Sequence, residues 1–238
     1  MEGPHATGEA LGSSRHGVEE LFITPTAARR DRDLLRTAAD LAVPVHLVTD
    51  RVIGALSDTV TPQGVVAVVR APHDDLEGVI ARTPRLVTVL HDVADPGNAG
   101  TVIRTSDAAG ADAVVLTGGG VDPHNPKCVR ATAGSLFHLP VVRTTDGVDT
   151  LRALRRAGLR VVATTLDGGD DLAGVAAAGG LAPPVAWVFG NEAHGLPPEL
   201  LDVADRCVRI PIYGRAESLN LAAAAAVCLY AAADAHRR

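Results

Sequence analysis

Lysine is almost missing from this 238-residue chain: of 22 basic residues only Lys127 is lysine, and the rest are arginine. Against 28 acidic residues the formal charge is −6, which excludes a protein that coats nucleic acid by nonspecific counterion release, though not an enzyme reading one RNA site. Cysteine is scarce too. Cys128, Cys207 and Cys228 are far apart with no Cys-x-x-Cys pair, so neither a zinc site nor a disulfide framework is suggested, and mostly buried free thiols are expected. Gly, Pro or charge interrupts every apolar run well before the roughly 20 residues of a membrane span. Met1 to Gly12 carries Glu2, His5 and Glu9 where a secretory leader needs a basic start and an apolar stretch. The expectation is a cytoplasmic protein with no membrane segment and no metal.

Several enzyme signatures are also lacking. There is no G-x-G-x-x-G after a strand, no G-x-x-x-x-G-K-[ST], no H-E-x-x-H and no G-x-S-x-G, which sets aside dinucleotide oxidoreductases, P-loop NTPases, zinc proteases and ordinary hydrolases. What is present is a globular composition, 47% hydrophobic with mean hydropathy +0.17, and a regular alternation of strands and helices.

Residues 1–72 read as a small α/β unit, with strands at Glu20 to Ile23, Val45 to Val48 and Val65 to Val69 and a helix from Asp31 to Leu41. Residues 73–83 mix charge, Pro and Gly without periodicity and read as a linker. Residues 84–238 carry short, continuously apolar strands between helices: Leu86 to Leu90, Ala113 to Leu116, Leu139 to Val142, Val161 to Thr164, Val185 to Phe189 and Val208 to Ile210. That pattern predicts a mainly parallel sheet covered on both faces, whose ligands bind beyond the carboxyl ends of its strands. Helices are expected from about Gly100 to Ala109, near Lys127 to Thr132, from Val148 to Ala157 and from Ser218 to about Ala233.

Polar residues cluster at three of these strand ends. In Asp95-Pro-Gly-Asn98-Ala-Gly100-Thr-Val-Ile-Arg104, Asn98 is the expected helix cap and Arg104 projects from the second turn; an exposed Arg on a capped helix is the plain alternative. In Gly190-Asn191-Glu192-Ala-His194-Gly195-Leu196, glycines let a turn approach a ligand, and Glu192 sits at the sheet's edge. In Ile210-Pro-Ile212-Tyr213-Gly-Arg215-Ala-Glu217-Ser218-Leu219-Asn220, Ser218 occupies the expected N-cap. Asn220, inside the first turn of an Ala-rich helix, competes with helical bonding and suggests a purpose outside it. Two arginine-rich stretches, Arg29, Arg30, Arg32 and Arg36, and Arg152, Arg155, Arg156 and Arg160, are solvated helix faces or phosphate contacts.

In this order and at these strand ends, Asn98-x-Gly100-x-x-x-Arg104, Gly190-Asn191-Glu192-x-x-Gly195-Leu196 and Ile210-Pro211 through Glu217-Ser218-Leu219-Asn220 resemble the motifs of the SpoU (TrmH-like) family of RNA 2′-O-ribose methyltransferases, in the SPOUT class. Ala133-Gly134-Ser135 through His138-Leu-Pro140-Val141 is similar to the family's intermediate block. The resemblance implies a deep trefoil knot and S-adenosylmethionine bound among the loops Thr164, Thr165 and Leu166; Gly190, Asn191 and Glu192; and Ile210, Ile212 and Tyr213 with Leu219. It implies catalytic roles for Arg104, Glu192, Ser218 and Asn220. Arg104 either deprotonates the 2′-hydroxyl or stabilises charge and grips a phosphate, and a guanidinium pKa above about 12 favours the second. RNA contacts are expected at Asn98, Arg104, Arg29 and Arg30.

The front unit resembles the family's ribosomal-protein-like RNA-binding domain, and its block Met1 to Leu11 ordinarily follows a strand and helix, so either the start assigned to the chain is too late or the module is trimmed. A homodimer is implied as well, with Leu219, Ala223, Val227 and Tyr230 of the last helix as the contact stripe. The expected substrate is 23S rRNA. A tRNA 2′-O-methyltransferase, and a non-catalytic RNA-binding or ribosome-assembly factor, remain as alternatives.

Overall fold

Short strands made wholly of apolar residues must be covered on both faces, and those at the centre of the larger sheet are. The computed structural model describes residues 1–15, 17–72 and 74–237; residues 16 and 238, and residue 73 at the start of the expected linker, lie outside the described residues. The chain divides into two units, one of Met1–His73 with Thr132–His138, the other of Asp74–Ala131 with Leu139–Arg238.

The first unit contains helix α1 (Pro4–Gly12), strand β1 (Gly17–Ile23), helices α2 (Pro25–Arg30) and α3 (Arg32–Asp40), strand β2 (Val45–Leu47), helix α4 (Asp50–Leu56) and strand β3 (Val65–Arg70). Its three-stranded sheet has the order β2-β1-β3, parallel between β1 and β2 and antiparallel between β1 and β3. Leu21, Ile23, Ala38 and Val65 form its core. The helix expected from Asp31 to Leu41 is α3, and ahead of it the short α2 forms because Thr24 caps it through the Ala27 N–H at 3.2 Å and Pro25 opens it. Residues 132–138 join this unit, where His138 Nε2 lies 3.0 Å from a Glu9 carboxylate oxygen and the Ser13 hydroxyl donates to the Phe137 carbonyl.

The second unit runs α5 (Leu76–Ala81), β4 (Leu86–His91), α6 (Pro96–Ala109), β5 (Ala113–Thr117), α7 (Pro126–Thr132), β6 (Val141–Thr144), α8 (Gly147–Arg156), β7 (Arg160–Thr164), β8 (Asp170–Asp171), α9 (Leu172–Ala177), β9 (Val185–Phe189), α10 (Pro198–Val203), β10 (Arg206–Arg209) and α11 (Leu221–Arg237). Its seven strands lie in the order β6-β5-β4-β9-β7-β10-β8, with every pairing parallel. Along β9, Trp187 and Phe189 enter the core beneath α6 and α11, while Ala186 and Val188 enter the core beneath α8 and α10. Both faces are therefore buried, each large side chain contributing roughly 1.5–3 kcal/mol.

Segment 76–81 corrects the linker expectation. Asp75 caps α5 by accepting from the Gly78 N–H at 2.7 Å, and Leu76, Val79 and Ile80 pack into the second core. Their i, i+3, i+4 spacing outweighs the charged flanks that suggested a linker. Cys128 and Cys228 are free, buried thiols, each pushed up to about 12 mainly by desolvation, and Cys207 is partly buried. No helix among the described residues is long and apolar enough to cross a membrane.

Candidate active site

The β4–β9 register, Leu86↔Val185 through Leu90↔Phe189, makes the loops after these two strands leave the sheet side by side. The first loop is held at its start, by Asp92. The Asp92 N–H donates to the Thr117 carbonyl, Asp92 Oδ1 accepts from the Gly119 N–H at 2.6 Å, and Asn191 Nδ2 donates to the Asp92 carbonyl at 2.7 Å. Asp92 pays for these contacts with a left-handed backbone, φ 51°. In the second loop, a Cβ on Gly190 would overlap the carbonyl of Gly195. This glycine permits a close approach of the loop to itself, closed by the paired Asn191 and Gly195 backbones.

Helix α6 begins earlier than the expected Gly100. Asp95 is its N-cap, accepting from the Asn98 N–H at 2.8 Å, with Pro96 in the first turn. Asn98 is therefore not the cap, and its amide is free to turn towards Glu192. Asn98 Nδ2 donates to Glu192 Oε1 at 2.9 Å, and the backbone N–H groups of Ala94 and Asp95 donate to the same carboxylate at 3.2 and 3.3 Å. Partial burial pushes the Glu192 carboxyl up, but the hydrogen bond from Asn98 and those from the backbone N–H groups of Glu192, Ala94 and Asp95 prevail and hold it below its ordinary value.

The last helix begins later than the expected Ser218. Asn220 precedes α11, and its Oδ1 accepts from the N–H groups of Ala222 and Ala223 at 2.9 and 3.4 Å. It is the cap, not a residue of the first turn, and its apparent conflict with helical bonding disappears. Its other end does reach outside the helix: Asn220 Nδ2 donates to Asn98 Oδ1 at 3.0 Å. Ser218 is exposed and makes no hydrogen bond among the described residues.

Two amides thus lie in series between a carboxylate and a helix N-terminus. An ionised carboxylate only accepts, so Asn98 must present its NH₂ to Glu192 and its oxygen to Asn220. Asn220 in turn must present its NH₂ to Asn98 and its oxygen to the α11 N–H groups. The orientation of both side chains is fixed by the ends of the chain they form.

Arg104 is outside this network. It sits in the third turn of α6, not the second, on an exposed row with Thr101 and Ala108, and it pairs with no carboxylate among the described residues. The buried row of the same helix, Ala99, Gly100, Val102, Ile103 and Ser106, faces the core.

The register Val208↔Thr164 places the loops after β7 and β10 next to each other. The Thr164 hydroxyl donates to the Val188 carbonyl and the Thr165 hydroxyl to the Asp167 carbonyl, so both are occupied within the fold. Ile210 is half-buried, whereas Leu166, Ile212, Tyr213 and Leu219 are exposed at 73%, 37%, 92% and 39%. Apolar side chains left open at strand ends, beside backbone groups of Gly190 and Ile210, suit an adenosine held by apolar and backbone contacts. Among the described residues no group of His, Cys, Asp and Glu could hold a metal ion.

In the first unit, Arg30 is engaged by Asp31 at 2.6 Å and by the Gln63 carbonyl, while Arg29 is exposed with one weak contact to Thr26. Sequence reasoning missed Asp95 and Lys127, whose ammonium donates to Asp95 Oδ2 at 2.9 Å. Asp95 was legible in the Asp-Pro pair, a cap followed by Pro at the first helical position; Lys127 had no such signal.

Two family models match the chain: "SpoU rRNA Methylase family" over residues 85–230 and "RNA 2'-O ribose methyltransferase substrate binding" over residues 1–74. The chain is 37% identical over 232 residues to the 23S rRNA (guanosine(2553)-2'-O)-methyltransferase of Bacillus subtilis, covering 97% of this chain and 86% of that one. Among solved structures it resembles an AdoMet-bound rRNA methyltransferase from Sinorhizobium meliloti, with TM-score 0.82, 34% identity and coverage of 98% and 85%. It also resembles the SpoU methyltransferase AviRb from Streptomyces viridochromogenes in complex with AdoMet, with TM-score 0.82, 31% identity and coverage of 98% and 88%.

Proposed function

The chain belongs to the SpoU rRNA methylase family, and from that premise we propose that it transfers the methyl group of S-adenosylmethionine to a ribose 2′-hydroxyl of 23S rRNA in the cytoplasm. The observation that carries this reading is the hydrogen-bonded chain Glu192–Asn98–Asn220 at the carboxyl edge of the sheet, because it joins one residue from each of the three motifs. S-adenosylmethionine supplies an electrophilic sulfonium methyl; the ribose oxygen gains that methyl and loses its proton. The protein's task is placement and charge management.

Leu166, Ile212, Tyr213 and Leu219, with the backbone at Thr164, Thr165, Gly190, Asn191 and Ile210, hold the adenosine end. Glu192, Ser218 and Asn220 orient the nucleotide. Arg104 grips the adjacent phosphate and stabilises charge developing at the 2′-oxygen. Arg29, exposed on the first unit, contacts RNA, and Arg30 joins it on exchanging Asp31 for phosphate. Residues 1–72 carry the RNA-binding role and residues 84–238 the transferase.

The strand order supports a trefoil knot in the carboxyl half, since β9 returns to lie between β4 and β7 while β10 lies between β7 and β8. A homodimer fits the surface. Helix α11 leaves Ala223, Val227 and Tyr230 exposed, so this stripe does not cover the protein's own sheet, and Leu219 lies just ahead of the helix. The partner's copy of α6 then presents its arginine to the facing site.

The test is methyl transfer from labelled S-adenosylmethionine to rRNA from cells lacking the gene, in EDTA, followed by nucleoside analysis. A 2′-O-methylated nucleoside is expected. A base-methylated product, transfer that requires added Mg²⁺ or Zn²⁺, or no transfer alongside no binding of S-adenosylhomocysteine would overturn the proposal.

A further inference from the structure

The only lysine of the chain stands at the candidate active site. Lys127, near the start of α7, extends over the N-terminus of α6: its Cε lies 3.6 Å from where a Gly97 Cβ would be, and its ammonium reaches Asp95 Oδ2. A second contact fixes α7 against α6, since a Cβ on Gly100 would overlap the Cys128 carbonyl and lie 2.6 Å from the Ala131 side chain. The backbone on which Lys127 is mounted is therefore set by close packing.

Asp95 is the hinge of the arrangement. One carboxylate oxygen caps α6 through Asn98, the other takes Lys127, and its own N–H donates to Glu192. The hydrogen bond from Lys127 is the largest influence holding the Asp95 carboxyl below its ordinary value, followed by that from the Asn98 N–H. Two carboxylates, Asp95 and Glu192, thus converge on one helix N-terminus, and a phosphate chain must approach the same edge. Lys127 is the one cation in contact with the pair among the described residues; Arg104 is not.

We infer that Lys127 is a positioning residue for methyl transfer: by pinning Asp95 it fixes the start of α6 and hence the Asn98 amide between Glu192 and Asn220. This inference rests on the proposed methyltransferase reading. It assigns Lys127 no contact with cofactor or RNA. The Lys127–Asp95 pair is exposed, so it adds little to folding, and its loss acts on the geometry of the site.

The experiment is a double-mutant cycle on the full chain with Lys127→Ala, Lys127→Arg, Asp95→Asn and the double variant Lys127→Ala/Asp95→Asn. Asn at position 95 still caps the helix but carries no charge for Lys127 to hold. Turnover at saturating RNA, KM for RNA and affinity for S-adenosylhomocysteine are measured for each. A misplacement of an ångström or less costs on the order of 10- to 100-fold in rate; Lys127→Ala is expected to lower kcat by about tenfold or more, with cofactor affinity held within about twofold. Lys127→Arg restores most of the rate. In the Asp95→Asn background, Lys127→Ala has no further effect.

An undiminished kcat for Lys127→Ala overturns the inference, as does an equal loss in the Asp95→Asn background. So does a rise confined to KM for RNA, the mark of a direct phosphate contact. Wild-type protein that binds no S-adenosylhomocysteine and methylates nothing would instead refute the methyltransferase reading itself.

Discussion

Asn220 performs two tasks with the two ends of one amide, and substitutions can separate them. Asn220→Ala removes both. The α11 N–H groups of Ala222 and Ala223 lose their acceptor, and loss of such a cap costs about 0.5–2 kcal/mol. For a chain of this size 1 kcal/mol moves Tm by roughly 2–4 °C. Asn220→Asp keeps an oxygen for the helix but presents a second acceptor to Asn98, whose far side already faces the Glu192 carboxylate. Asn98 has only one donor end, so whichever way its amide turns, its oxygen confronts a carboxylate. Asn220→Asp should therefore keep its Tm within about 2 °C, because Asp and Asn are equal as caps, yet lose on the order of 100-fold in kcat through misplacement. Thermal melts beside single-turnover methylation measure the two quantities separately. Wild-type turnover in Asn220→Asp, or an unshifted melt in Asn220→Ala, refutes the two-ended role.

Three further outcomes are expected. Arg104→Ala should lower methyl transfer by about 10²–10³ through loss of one preorganised charge-stabilising group, with S-adenosylhomocysteine affinity changed no more than a few-fold; near-normal turnover removes Arg104 from the mechanism. The Glu192 carboxyl is held below its ordinary value of 4.5, so the contacts it makes stabilise the native state above that value and are lost as pH falls through the lowered one. The difference in Tm between wild type and Glu192→Gln should accordingly be largest above about pH 5 and vanish in stronger acid; a difference that grows on acidification contradicts the assigned contacts. Diluting the protein while following light scattering should lower specific activity as monomers of 24.5 kDa appear, and a fully active monomer excludes the shared site.

The strands of the larger sheet were legible because burial on both faces forces uninterrupted apolar runs; Val185 to Phe189 is bounded as expected. The three polar loops were legible for the complementary reason, that Gly, Pro, Asn and charge gather where such strands end. Which residue caps which helix was not. Asp95 and Asn98 are both good caps, as are Ser218 and Asn220, and the choice in each case depends on a partner far away in sequence. Asn98 is drawn off its cap position by Glu192, 94 residues on, while Asn220 is held in the cap position by Asn98, 122 residues back. Those separations close only through the β4–β9 register and the packing of α11 on α6, neither of which a local pattern contains. Helix α5 was hidden because its apolar face is three residues wide within a charged segment.

The position of Arg104 bears most directly on how the site is completed. Asn98 and Arg104 lie six residues apart on α6, which turns them about 240° around the helix axis and separates them by about 9 Å along it. With Asn98 committed to Glu192 and Asn220, Arg104 is carried round to the solvent row that holds Thr101 and Ala108. An arginine left exposed and without a carboxylate partner among the described residues is placed, in the proposed mechanism, to meet RNA arriving from that side. In the proposed homodimer, a second subunit laid along the exposed row of α11 would supply a site there. On that proposal α6 would provide an orienting amide to one active site and a cation to another, and assembly would be a condition of activity.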